Sequence, residues 1–118
     1  MLLEKYHAGL HMVEREIIDK VKVFVKEVKR HRINVKKVIL YGSRVSGTVH
    51  EYSDIDVAII SPDFGKNSYN EGAKLFEIAS LIDPRIEPGA ISVRSFENDT
   101  WIPLIYEIRE NGMELKAA

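Results

Sequence analysis

The chain has 118 residues, 45% hydrophobic and 30% charged, which suits a single domain over residues 1–118 and excludes a disordered chain. Its 17 Lys and Arg against 18 Asp and Glu leave a formal net charge of −1, too little positive excess for a general nucleic-acid coat. With 0 Cys there is no disulfide, thiol nucleophile or thiolate metal site. No apolar run is long enough to span a membrane, and MLLEKYHAGL has no leader pattern, so a soluble, cytoplasmic protein is expected.

In chain order, the stretch from about Gly9 to Arg32 predicts an amphipathic helix. Ile17, Ile18, Val21, Phe24, Val25 and Val28 share one stripe, Lys22, Lys26 and Arg30 lie across from it, and Val23 falls off the pattern. Val38-Ile39-Leu40-Tyr41, between Lys36-Lys37 and Gly42-Ser43, reads as a strand buried on both faces. Ser43 to Ser53 is a polar loop with room for one helical turn. A second strand spans Asp54 to Ile60, with Ile55, Val57 and Ile59 on one face and Asp54, Asp56, Ala58 and Ile60 on the other. Ser61 to Gly65 is a turn.

Asn67 to Ile82 predicts a helix on Leu75, Ile78, Ala79 and Ile82, stopped by Asp83-Pro84. Arg85 to Val93 predicts a strand in which Pro88 marks an edge or a bulge. Asp99 suits an N-cap for a last helix that buries Trp101, Ile102, Leu104, Ile105 and Ile108, with Pro103 in its first turn and Asn111-Gly112 as its stop. Met113 to Leu115 suits a short final strand. Only about a dozen residues separate the first two strands, too few for a helical crossover, so they pair antiparallel within a mixed sheet. The expected class is α+β in two layers, with helices packed on one face.

The chemistry concentrates between Tyr41 and Val57. Asp54 and Asp56 lie two apart on a strand, so their carboxylates point the same way and repel. A divalent cation relieves that repulsion, and hard oxygen ligands suit Mg²⁺. Gly42-Ser43 follows a buried strand; glycine lets a ligand approach the backbone, and the next N–H groups with the Ser43 hydroxyl suit phosphate oxygens. Arg44 adds a candidate charge-assisted phosphate contact. Each feature alone is ordinary: two solvent-facing acids, or a strand-exit turn. There is no Walker loop and no dinucleotide-binding glycine fingerprint.

Taken together, a hydrophobic strand, Gly42-Ser43, the ten residues 44–53 and Asp54-Ile55-Asp56-Val57 resemble the signature of the polymerase-β-type nucleotidyltransferase superfamily. Gly-Ser-Arg-x-x-Gly followed by Ser-Asp-Ile-Asp-Val is similar to its smallest branch, the minimal nucleotidyltransferases. Ser46 stands where many relatives carry a second arginine. The resemblance implies a polymerase-β-like fold and a third carboxylate on a later strand, with Glu87 the candidate and Asp83 the runner-up. It implies a reaction in which ATP rests on Gly42 and Ser43, Mg²⁺ (two ions) sits on Asp54, Asp56 and Glu87, and Glu87 acts as general base. It further implies an antitoxin role beside a HEPN-type toxin, with AMP transferred to a tyrosine of that partner in a hetero-oligomer. A binding module that neutralises its partner by contact, and a transferase acting on a small molecule, are the alternatives.

Other features read as structural. His7 and His11 are i, i+4 and would chelate a metal only on a helix, with no third ligand evident. Lys26, Lys29, Arg30, Arg32, Lys36 and Lys37 read as a solvated face, an RNA or acidic-partner surface being the sharper alternative. Trp101 and Tyr106 read as core or interface aromatics, and Ser43 has no His or Asp partner that would make it a hydrolase nucleophile.

Overall fold

The computed structural model describes residues 3–8, 11–47 and 53–116. Its elements are β1 (Leu3–Ala8), β2 (His11–Glu14), α1 (Arg15–Arg30), β3 (Lys37–Tyr41), α2 (Ser43–Ser46), β4 (Ile55–Ser61), α3 (Ser68–Ser80), β5 (Ile86–Ser92), α4 (Val93–Asn98), α5 (Pro103–Asn111) and β6 (Met113–Leu115). None of its helices is long and apolar enough to cross a membrane, among the described residues.

Four strands form one mixed sheet in the order β5-β4-β3-β6. As the short connection predicts, β3 and β4 are antiparallel, with Leu40 opposite Val57 and Tyr41 opposite Asp56. The β4–α3–β5 crossover makes β4 and β5 parallel, with Asp56 opposite Glu87 and Val57 opposite Pro88. Pro88 therefore lies in an edge strand, where its missing N–H breaks no ladder bond.

Alternation along the central strands separates two cores. Val38, Leu40, Ile55, Val57 and Ile59 meet Ile17, Val21, Phe24 and Val28 of α1 and Leu75 and Ile78 of α3. Burying this face supplies most of the driving force for folding. On the opposite face Ile39, Ala58, Ile60 and Ile91 meet Phe96 of α4 and Ile105 and Ile108 of α5. The α+β class and mixed sheet stand, but helices cover both faces rather than one. The reason is visible in β4, whose acidic face turns apolar at Ala58 and Ile60 and must be covered there.

Three other expectations change. The first helix starts at Arg15, and His11–Glu14 is extended, pairing with Leu3–Ala8. His7 is opposite Met12 and His11 opposite Ala8, so the helical premise of a His7–His11 chelate does not hold. Apolar periodicity carries back past Arg15, and pairing with a remote strand leaves no mark in one segment's pattern. Asp99 ends α4 instead of capping α5: its carboxylate accepts from Ser95 Oγ at 2.8 Å, and its carbonyl accepts from Ile102 N at 3.0 Å. α5 starts at Pro103, after Trp101, which is 79% exposed, and Tyr106 within α5 is 57% exposed, so neither is a core aromatic.

The loop from α3 to β5 is held by charge. Asp83 is buried and accepts from Arg85 through N (2.9 Å), Nε (3.0 Å) and Nη2 (2.8 Å). Arg85 Nη2 also reaches Glu16 Oε1 on α1 at 3.3 Å. The guanidinium holds the Asp83 carboxyl at about 2, below its ordinary 3.8. A depressed carboxyl stabilises the fold above its unfolded pKa and loses that contribution as pH falls toward the folded one. Asp83→Asn should therefore lower the free energy of unfolding at neutral pH by about 2 kcal/mol. In urea titrations against pH, variant and wild type should draw together as pH falls below the ordinary carboxyl range and converge only near pH 2.

Candidate active site

The site forms where β3 ends and β4 and β5 begin. Because antiparallel and parallel partners in register put their side chains on the same face, Tyr41, Asp56 and Glu87 form one row across three strands. Asp54 precedes β4 by one residue and is exposed, Asp56 is half-buried, and Glu87 is exposed on β5. Burial raises the Asp56 pKa above its ordinary value, and the negative charges of Asp54 and then Glu87 raise it further. The structure thus brings together the three carboxylates singled out in the sequence.

Gly42 turns the chain directly beside them. Its φ is +76°, a conformation that side chains disfavour, and a Cβ there would collide with Asp56 Oδ2 and lie 3.2 Å from Asp56 Cγ. Glycine is needed for both reasons. The turn closes into α2, where Val45 N and Ser46 N donate to the Gly42 carbonyl at 3.1 and 3.0 Å and Gly47 N donates to the Ser43 carbonyl at 3.1 Å. Val45 buries its side chain in the larger core and pins the turn. Ser43 is half-buried beside Gly42.

Arg44 is placed differently from a phosphate-facing arginine. It is buried, and its Nη2 donates to the Ser53 carbonyl at 2.8 Å. Asp83 is committed to Arg85, which leaves Glu87 as the acid that shares the sheet end with Asp56. Sequence reasoning passed over Tyr41 as a site neighbour. Its phenol lies against Gly89, 3.7 Å from where a Cβ would stand, and its pKa is raised by burial, then by Asp56 and Glu87. Its place immediately before Gly42, in register with Asp56, is the signal that would have identified it.

Among the described residues, no three His, Cys, Asp or Glu side chains are gathered tightly enough to form a ready-made metal cage. Mg²⁺ seldom uses such cages; one or two carboxylates plus substrate phosphates and water are its usual shell. An all-oxygen donor set whose central member is destabilised by its acidic neighbours fits a hard divalent cation.

A family model described as a nucleotidyltransferase domain matches residues 21–113. The fold is similar to that of a protein from Sulfolobus solfataricus provisionally assigned as a nucleotidyltransferase, at a TM-score of 0.56 and 19% identity over 70% of this chain and 72% of that one. It is also similar to a chain of a toxin–antitoxin complex with AMP-PNP, at a TM-score of 0.56 and 24% identity over 82% of this chain and 73% of that one. No functionally curated protein matches its sequence.

Two outcomes follow from the crowding of carboxylates. A carboxyl whose pKa rises on folding weakens the fold as pH climbs through its titration range. Asp56→Asn should thus raise the thermal midpoint at pH 7, the gain shrinking as pH falls through the raised carboxyl range and vanishing below the ordinary value near 4. Gly42→Ala should cost about 2 kcal/mol in denaturant titration, from its backbone angle and its clash with Asp56.

Proposed function

Because the chain belongs to the nucleotidyltransferase domain family, we propose that this sheet end moves AMP from ATP to an acceptor hydroxyl, in the service of an antitoxin. The observation that carries the reading is Asp56: in register between Tyr41 and Glu87, packed over Gly42, and carrying charge repulsion from Asp54 and Glu87.

The roles divide by chemistry. Gly42 and Ser43 bind the β,γ-phosphates, where a side-chain-free turn lets the backbone approach and a hydroxyl donates. Asp54, Asp56 and Glu87 would hold Mg²⁺, which when bound neutralises the carboxylates and the triphosphate. Glu87 accepts the proton of the acceptor hydroxyl. The acceptor oxygen forms a bond to the α-phosphorus, the bridging α–β P–O bond breaks, and its electron pair leaves with pyrophosphate. Asp56, fixed by strand pairing on both sides, sets the position of the other groups.

A four-stranded sheet covered by helices, in a chain of 118 residues, offers the acceptor little surface of its own. That supports an acceptor supplied by a partner chain, and the likeness to a toxin–antitoxin component with AMP-PNP supports a toxin as that partner. We take it to be a HEPN-type protein modified on a tyrosine.

The test incubates the purified chain with α-labelled ATP, Mg²⁺ and the product of the neighbouring gene, followed by intact mass. A gain of one or more adenylate units on the partner is expected, falling at least ~100-fold with Asp54→Ala or Asp56→Ala. Equal labelling by wild type and both variants, or none by any, overturns the reading. Neutralisation of the toxin that survives Asp54→Asn would assign the antitoxin effect to contact alone.

A further inference from the structure

Arg44 follows the Gly42-Ser43 turn, where an arginine would be expected to face phosphate. Its side chain is 7% exposed, and its guanidinium reaches back to the carbonyl of Ser53. Ser53 is bonded directly to Asp54. On the other side of Asp54, Ile55 N donates to the Arg85 carbonyl at 2.8 Å, and Arg85 is itself clamped by Asp83. Asp54 is therefore the exposed residue between two fixed neighbours, one tied to α2 and one to the loop before β5.

Burying a guanidinium is costly, and here the cost is not fully met. Nε is buried with no hydrogen-bond partner among the described residues. Burial and then the like charge of Arg85 pull the Arg44 pKa below its ordinary value, against the opposing charges of Glu14, Glu16 and Asp83. A methionine or leucine would fill the same space without those penalties. What an apolar side chain cannot do is donate to Ser53.

We infer that Arg44 is a positioning residue, whose hydrogen bond to the Ser53 carbonyl holds Asp54 beside Asp56 for the cation, and that it is not a ligand of the triphosphate. The inference rests on the reading of Asp54 and Asp56 as cation ligands. Asp54 lies outside the regular ladder, so losing this tie loosens its backbone on one side, and more of the entropy of ordering its carboxylate beside Asp56 falls on metal binding.

The experiment measures Mn²⁺ binding without nucleotide, by the loss of the free-ion signal in electron paramagnetic resonance. Wild type, Arg44→Met, Arg44→Lys and Asp54→Ala are compared, together with their thermal midpoints and their affinity for a non-hydrolysable ATP analogue in chelator. Arg44→Met should weaken Mn²⁺ binding roughly tenfold or more, the range seen when a residue that orients a metal ligand is removed. Its metal-free affinity for the analogue should stay within about twofold of wild type. Arg44→Lys, which keeps the charge and one donor, should recover part of the loss. A folded Arg44→Met with unchanged Mn²⁺ affinity overturns the inference, whether its melting point falls (a purely structural role) or its analogue affinity falls (a phosphate ligand). Should Arg44→Met fail to fold, Arg44→Leu, which also removes the donor, takes its place, and unchanged Mn²⁺ affinity overturns the inference. Asp54→Ala separates the two levels: if it leaves Mn²⁺ binding intact, the cation-site reading fails and the inference with it. If it abolishes binding while the Arg44 variants bind normally, only the inference fails.

Discussion

Like charges forced together at one end of a sheet govern this molecule. Asp56 lies half-buried between strands whose register puts Glu87 on one side and Tyr41 on the other, with Asp54 two residues before it. Burial, then the charges of Asp54 and Glu87, disfavour its ionised form. Such a cluster lowers stability when empty and gains affinity for a cation for the same reason. The strands can hold it because their other face is packed against α1 and α3, and hydrophobic burial there outweighs a local electrostatic cost. Stability is made in the layer beneath, and the tension that chemistry can use is kept at the rim.

The supports around the rim are polar and indirect. Asp83, Arg85 and Glu16 join the loop before β5 to α1. The Arg85 carbonyl then receives the N–H of Ile55, and Arg44 donates to the carbonyl of Ser53. A short run of chain carrying two acids is thereby bracketed by two arginines, neither of which needs to touch what the acids bind. Groups held by packing and outer hydrogen bonds need little reordering when a ligand arrives.

Much of this was legible in the amino-acid order because it is local. The apolar stripe of α1 reads directly from Ile17 to Val28, and all six of its members are buried. Alternation along β4 separates the acids from Ile55, Val57 and Ile59, and a short link forces β3 and β4 antiparallel. Glu87 was placed by family resemblance, and the parallel pairing that puts it opposite Asp56 depends on the helix crossover over residues 62–85. What escaped was non-local or too short. β1 and β2 exist through each other, α4 is a short capped helix of 6 residues with one buried aromatic, and Trp101 sits on the apolar stripe yet faces outward because α5 starts after it. Arg44 looked like a phosphate ligand because charge suggests an anion, whereas its partner is a backbone oxygen nine residues away.

The position of Pro88 bears on how any second polypeptide comes to this protein. It occupies the border strand of the sheet one residue past Glu87, opposite Val57. Many complexes form when a foreign segment zips onto such a border by main-chain bonding. A ring nitrogen with no hydrogen interrupts the row of donors at that spot, and unwanted self-stacking of copies is discouraged by the same gap. The gap at Pro88 therefore disfavours the pairing of a further strand alongside Glu87.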